Sequence, residues 1–451
     1  LPAASADRLA RAQRKSPLLA GVLSARPSVI ALLVTSTRTD ALEGDAIVAR
    51  EFASALSAVL PSAEFRLIPR EPDGGADLAG IDAVISLRED CDPRRFRHLS
   101  PSCRVVFWIR NCFDAFLENE NWRRADEVWM SSEHECRRFS RHTGLPARLL
   151  RIATNLQLFG AAKPDPDLAC DICFTGSYWG VHREIATSLA PEILDATVRI
   201  FGAGWDAVPE LAAVAQGPAP YAWMPAIYAS AKLVIDDANH VTIDSGSVNS
   251  RVYDAIAAGA LPITNGVAGA QETFGDLLPT YRDAHGLTGQ IRRWLADEPG
   301  RLERVAALRR LVMEKHGFEH RARDAVRFLS EPAQIPFVAV TGDGPDAGAT
   351  ADARPTGLAP LMTALARAGW RADWIAPSHW DGRLAASADL RLHVGAAPPP
   401  ATRAGQGSVA WILSEADSLS ARIVGRENAV FVPAATRQAL PGSYPMNVGR
   451  E

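Results

Sequence analysis

Short apolar runs alternate along this chain with stretches whose apolar residues recur at helical spacing. Runs at 29–34, 65–68, 81–86, 105–109 and 127–131 are short and rich in branched and aromatic residues, as buried strands are. Between the first two, positions 45–60 place Ile47, Ala49, Phe52, Ala53, Leu56 and Leu60 on one helical face. A second series of strands follows at 171–175, 198–201, 233–236 and 261–263. Strands separated by helices predict an α/β fold built on doubly wound parallel sheets. The spacing predicts further helices through Ile185, Leu189 and Ile193, over 280–295 after a strand edge, over 302–313, and through Ala325, Phe328 and Leu329. A stretch at 149–166, carrying Pro164 and Pro166, reads as the linker between two units, 29–160 and 161–330.

Both ends of the chain add something. Positions 4–23 form a basic amphipathic pattern, with Leu9, Leu18, Leu19 and Leu23 among Arg8, Arg11, Arg14 and Lys15. A helix packed on the first unit and peripheral contact with a membrane surface both follow from it, so 1–28 is set apart as an N-terminal helix. From 331 to 451 the first unit repeats in part, at a near-constant offset of about 300 residues. Phe337 to Thr341 matches Ile30 to Thr35 in kind, 357–366 matches the 45–60 helix, and Trp374-Ile375 matches Leu67-Ile68. Ala388-Asp389-Leu390 matches Ile81-Asp82-Ala83, and Trp411 through Asp417 matches Trp108 through Asp114. In that copy Arg110 and Asn111 become Leu413 and Ser414, and no second phosphate-binding half follows within the chain. The repeat reads as a truncated tandem unit, an acceptor-binding module or a docking domain.

The candidate chemistry centres on 244–264. A loop of small residues, Asp244 to Ser247, runs into a helical pattern that carries Val248, Val252, Tyr253 and Ile256 and ends at Gly259. The free N–H groups and the dipole of such a helix start favour an anion. Arg251, about one turn in, can reach that anion with a bidentate fork. Asp254 follows on a neighbouring face, and an acceptor-only carboxylate there suits vicinal hydroxyls such as those of a ribose. An ordinary amphipathic helix with a surface Arg–Asp pair is the plain alternative. Strand ends direct attention to 35–44 and 110–114, because ligands meet open α/β sheets there. Asp114 reads as an acceptor contact or as a helix cap.

Asn249, Arg251, Tyr253, Asp254, Ala257 and Gly259 together resemble the nucleotide-sugar site of GT-B glycosyltransferases, closest to the spore-maturation-type branch of the group 1 class. Trp108-Ile109-Arg110-Asn111 is similar to a signature of the same branch. So are Gly176-Ser177 followed by a loop and Arg183, the turn Gly202-Ala203-Gly204-Trp205, and the segment 221–232. The resemblance implies two Rossmann-like domains facing a cleft, to which the internal repeat adds a third, half-copy Rossmann-like unit. It implies that Gly176 and Ser177 let a diphosphate approach the backbone, that Arg183 neutralises it, that Gly202 belongs to the nucleotide-sugar side or serves only its turn, and that Gly217 and Tyr221 border the base. Ser247, Asn249, Ser250, Arg251 and Asp254 complete the donor side; Arg110, Asn111 and Asp114 form the acceptor side, with Asp114, Arg183 and Arg251 as the catalytic candidates. His182 reads as a leaving-group contact or a plain loop residue, and Trp179 as a stacking or a packing residue. In relatives the final helix crosses back to the first domain, with Gly317 as a hinge. One departure stands out. The larger group has a carboxylate where this chain has Gly246, with Asp244 two residues away. Inverting and retaining chemistry stay open.

The expected activity is transfer of a sugar from a nucleotide-diphosphate donor to a glycan, protein or lipid-linked acceptor, with no cofactor and no metal. A non-catalytic nucleotide-sugar-binding module and a GT-B sugar-nucleotide epimerase are the alternatives. A net charge of −4 argues against a nucleic-acid partner, and no apolar run is long enough to span a membrane. All six cysteines lie between Cys91 and Cys173. Cys170-x-x-Cys173 falls on a predicted strand without the partner pair a zinc site needs, so thiols in a reducing, cytoplasmic setting are expected. The chain begins at Leu1 and reads as a processed product or a piece of a longer protein.

Overall fold

A computed structural model describes residues 28–38, 43–70, 78, 80–97, 103–180, 182–331, 333–335, 337–342, 361–362, 365, 370–375, 388, 390–395, 407–412, 429–433 and 444–446. The expected helix at 4–23, most of the one at 357–366, and Asp389, Leu413, Ser414 and Asp417 lie outside the described residues.

Three parallel sheets form in chain order. The first holds β1 (Ser28–Val34), β2 (Ala63–Pro69), β3 (Ala83–Ser86), β4 (Arg104–Ile109), β5 (Glu127–Met130) and β6 (Arg148–Leu149), in the order β2-β1-β3-β4-β5-β6. The second holds β7 (Cys170–Thr175), β8 (Val198–Phe201), β9 (Ala215–Gly217), β10 (Ala231–Asp236) and β11 (Leu261–Thr264), in the order β11-β10-β7-β8-β9. The third holds β12 (Phe337–Gly342), β13 (Arg371–Trp374), β14 (Leu390–Gly395), β15 (Gly407–Ile412), β16 (Ala429–Pro433) and β17 (Tyr444–Met446), in the order β13-β12-β14-β15-β16-β17. Edge strands β6 and β9 were not expected from the sequence; two or three residues with a single apolar position leave no periodic trace.

Two of the predicted helices depart from their apolar stripes in an instructive way. The one after β7 spans only Glu184–Ser188, short of Ile193. Pro191 explains the break: it disfavours helical backbone at Ala190 and brings no N–H of its own. The helix of the central stretch, Ser250–Ala258, starts after Val248, with Asn249 as its N-cap. It ends at Gly259, whose φ of +99° few side chains tolerate, with the Gly259 N–H turned back to Ala255 and Ile256. Gly317 lies at φ −82°, and an added Cβ would come within 2.5 Å of Leu156, so close packing accounts for the glycine there.

The helix Phe318–Ser330 ties the second lobe to the first. Its Phe318, Ala322, Ala325, Phe328 and Leu329 join the core that holds Ile30, Leu32, Phe52, Trp108 and Trp129. Its last carbonyls are taken by a buried cation: Arg104 of β4 donates to Phe328, Leu329 and Glu331 at 3.0, 3.1 and 2.7 Å. That satisfies groups a helix end otherwise leaves orphaned. The third sheet rests on the amino-terminal side of β5. Arg371 donates to Asp126 at 3.0 Å and to the Arg124 carbonyl at 2.8 Å, and the Ile335 N–H donates to the Asp126 carbonyl.

Candidate active site

Two glycine turns make the floor. β7 ends at Thr175 and passes into Gly176-Ser177; β8 ends at Phe201 and passes into Gly202. Gly176 and Gly202 have φ of +141° and +152°, and a Cβ on Gly202 would lie 2.1 Å from the Gly176 oxygen. Only glycine lets these turns cross so closely. Trp205 Nε1 donates to the Gly176 carbonyl at 2.6 Å and locks the crossing.

Above this floor two arginines share one ring. The Arg251 guanidinium lies 4.7 Å, and that of Arg183 5.3 Å, from the centroid of Phe174. Each is pinned by one of two consecutive carboxylates at the end of β10. Arg251 donates from Nη1 to Asp236 at 2.6 Å and from Nε to the Thr175 carbonyl at 2.8 Å. Arg183 donates from Nε to Asp237 at 2.8 Å and from Nη1 to the Ser177 carbonyl at 3.0 Å. Asp236 also accepts from Asn249 Nδ2 at 3.0 Å and Thr264 Oγ1 at 2.7 Å. Burial pushes the Asp237 carboxyl up from its ordinary value, against the pull of Arg183. Because the Asn249 side chain is turned to Asp236, no side chain caps the leading N–H groups of the Ser250–Ala258 helix. An uncapped helix start with two oriented guanidiniums beside it is built for an anion.

The floor opens into two adjoining cavities between the first two lobes. The larger, of about 350 Å³, has Arg183, Asn249, Ser250 and Arg251 on one wall and Asp45, Arg88, Arg110 and Asn111 on the other. The smaller, of about 240 Å³, is lined by Gly176, Ser177, Gly202, Tyr221, Arg251 and Asp254. Ile47, Val48 and Glu51, on the face of the first-lobe helix Gly44–Val59, close it from above. Burial, with Glu51 adding like charge, pushes the Asp254 carboxyl up to about 8, although a hydrogen bond with Thr154 and the charge of Arg251 oppose this. Asp254 is therefore protonated near neutrality and can donate as well as accept, not the acceptor-only carboxylate expected from its type.

Most of the candidate residues meet here: Gly176, Ser177, Arg183, Gly202 and Tyr221 with Asn249, Ser250, Arg251 and Asp254 on one side, Arg110 and Asn111 on the other. Two do not. Asp114 sits in the first turn of the helix Phe113–Glu118, its side chain 74% exposed and paired with Arg138 of the helix Glu133–Thr143. It lines neither cavity. Ser247 faces the seam between the lobes: its hydroxyl bonds that of Ser131 at 2.8 Å, and its N–H donates to Ser245 Oγ. The same seam holds Ser132 Oγ to the Ser245 carbonyl at 2.5 Å. There Glu272 also accepts from the leading N–H groups of Glu133 and His134. Trp179 and His182 are exposed, and His182 lies 3.7 Å from Glu184.

Sequence reasoning missed Asp236, Asp237, Phe174 and Glu51. The two aspartates did carry a signal, since they follow directly on the carboxyl end of a central strand. Glu51 carried none, because its place in the cavity depends on how the lobes meet.

Residues 182–327 match the family model described as glycosyl transferase-like. No curated protein matches the chain. Among solved structures, the chain is similar to Anabaena Alr3699/HepE in complex with UDP and glucose, with a TM-score of 0.51 and 11% identity over 67% of this chain and 99% of that one. The complex of the same protein with UDP-glucose gives a TM-score of 0.50 with the same identity and coverage. The chain therefore has the GT-B fold of these structures, and its segment 182–327 is glycosyl transferase-like.

Proposed function

We propose that the protein transfers a sugar from a nucleotide-diphosphate donor to an acceptor hydroxyl, and that its own arginines carry the charge of the departing diphosphate. The observation that carries this is the pairing of Arg183 and Arg251 over Phe174, beside the uncapped start of the Ser250–Ala258 helix. The barrier to glycosyl transfer falls when the charge that develops on the leaving group meets fixed dipoles and cations. Here Asp236 and Asp237 hold both guanidiniums in place before any ligand arrives, so little reorganisation is needed at the moment of reaction. Gly176, Ser177 and Gly202 bring backbone close to the diphosphate. The smaller cavity takes the nucleoside, with Tyr221 toward the base and Asp254 at the ribose. This arrangement supports catalysis without a metal ion. Because the similar solved structure holds UDP-glucose, a uridine diphosphate sugar is the first donor to test.

The chain is further read as a member of the spore-maturation-type branch, on Trp108-Ile109-Arg110-Asn111 and the Asn249 to Gly259 motif. The third sheet is read as a partial copy of the first, which its equivalent strand order supports. Its contacts through Arg371 favour a docked module that braces the first lobe.

The test is a thermal-shift screen of nucleotide sugars, followed by donor turnover with wild type and Arg251→Ala. A stabilising donor, turned over by wild type and about 100-fold more slowly by the variant, is the expected result. Tight donor binding with no turnover, on any acceptor and in water, contradicts it.

A further inference from the structure

Among the described residues, most buried and largely buried arginines come with a carboxylate. Arg104 pairs with Glu127, Arg148 with Glu331, Arg151 with Glu272, Arg183 with Asp237, Arg251 with Asp236 and Arg371 with Asp126. Arg321 lacks one, but carbonyls of Arg151 and Lys315 and the ring of His316 fill its donors. Arg110 is different. It follows directly on the carboxyl end of β4, is only 8% exposed, and leans on Trp108 with 5.8 Å between guanidinium and ring centroid. Among the described residues its one hydrogen bond is a long one, 3.4 Å to the Leu87 carbonyl, and its Nε has no partner. Burial brings its pKa down to about 10, which leaves it charged at neutral pH. Asp45 lines the same cavity, but its Oδ2 accepts from the N–H and hydroxyl of Thr35, at 2.6 and 2.8 Å, and makes no bond to Arg110.

A buried cation without a partner is costly unless something that binds there supplies the anion. The cavity gives that anion a place. Arg110 lines the first-lobe wall of the larger cavity, across from Arg183 and Arg251. On the donor reading above, on which this inference rests, those two are engaged by the leaving diphosphate. Arg110 then meets whatever enters from the first-lobe side. We propose that Arg110 binds an anionic group, a phosphate or carboxylate, carried by the acceptor, so that the protein glycosylates an acidic molecule rather than a neutral sugar. The planar guanidinium suits either group through two parallel bonds.

The experiment uses the full chain, saturated with uridine diphosphate, and titrates inorganic phosphate calorimetrically into wild type, Arg110→Gln and Arg110→Lys. Wild type is expected to bind phosphate, with Arg110→Gln about tenfold weaker and Arg110→Lys between them. Uridine diphosphate affinity should stay within about twofold in all three. Absence of phosphate binding in wild type, or equal binding in wild type and Arg110→Gln, overturns the proposal. If Arg110→Gln does not fold, wild type and Arg110→Lys decide: a Lys variant that binds phosphate as well as wild type overturns it. A second arm locates the anion. A wild-type preference for UDP-glucuronate over UDP-glucose that Arg110→Gln abolishes would put the anion on the donor sugar and overturn the acceptor assignment. Failure of wild type to bind uridine or guanosine diphosphate strikes the donor reading instead. The phosphate comparison can still be run on the protein alone.

Discussion

Arg251 and Arg110 occupy similar ground on opposite walls of the cleft. Arg110 is buried and Arg251 largely so, each lies against an aromatic ring contributed by a strand, and each lines the larger cavity. Arg251 is held by Asp236 and a carbonyl, Arg110 by one long bond to a carbonyl. The difference separates two tasks. A cation tied to a carboxylate has a fixed direction before the ligand comes, at the cost of part of its field. An untied cation, offset here only by the nearby charges of Asp45 and Glu89, keeps its donors free for a partner. On the two proposals above, the second lobe is the prepared anion site, and the first lobe the place where a further anion is recognised.

The most damaging way to disturb this contrast is to untie Arg251. Asp236→Ala removes the anchor of Arg251, Asn249 and Thr264 at once and leaves a buried cation unpaired. It should cost about 3 kcal/mol of stability in urea unfolding. It should also cut donor turnover about 100-fold in steady-state assays. An Asp236→Ala variant with wild-type turnover would show that pre-orientation does not matter. Next comes Gly202→Ala, where the added Cβ meets the Gly176 oxygen and a φ of +152° resists a side chain. A loss of about 2 kcal/mol is expected in the same unfolding assay, together with weaker donor binding.

A gentler probe is pH. Asp254 keeps its proton in the folded protein up to about 8, whereas the unfolded chain releases it near its ordinary value of 3.8. Between those values the unfolded state binds fewer protons, so the contribution of Asp254 is fully present below the unfolded value and is lost as pH rises through about 8. Asp254→Asn should flatten this part of the stability–pH curve. An unchanged slope in the variant would assign it to another group. The smallest effect is expected at the seam. Ser131→Ala removes one hydroxyl contact to Ser247 and should shift stability by about 1 kcal/mol, with donor KM hardly altered.

The architecture was legible in the sequence because buried parallel strands leave apolar runs and the helices between them leave stripes. What escaped was short or non-local. β6 and β9 are edge strands too short for a period, and Pro191 cut a helix that its apolar spacing alone would have extended. The grouping of the candidate residues was readable because it is local: Asn249, Ser250, Arg251 and Asp254 share one helix start, and Gly176 and Gly202 mark turns after strands. Asp114 and Ser247 were misplaced for the opposite reason. Each has the right chemistry beside the right motif, but Arg138 and Ser131, distant in sequence, claim their side chains. The partners of Arg183 and Arg251 were visible as an Asp-Asp pair at a strand end, yet only the fold assigns one carboxylate to each cation.

The account turns on a diphosphate held jointly by Arg183 and Arg251. Calorimetric titration of uridine diphosphate into wild type, Arg183→Ala, Arg251→Ala and the double variant measures this directly. Each single change is expected to weaken binding about tenfold or more, and the double change to lose less than the two losses combined, as for cations that share one ligand. Affinities that stay at the wild-type value in both single variants would contradict the claim.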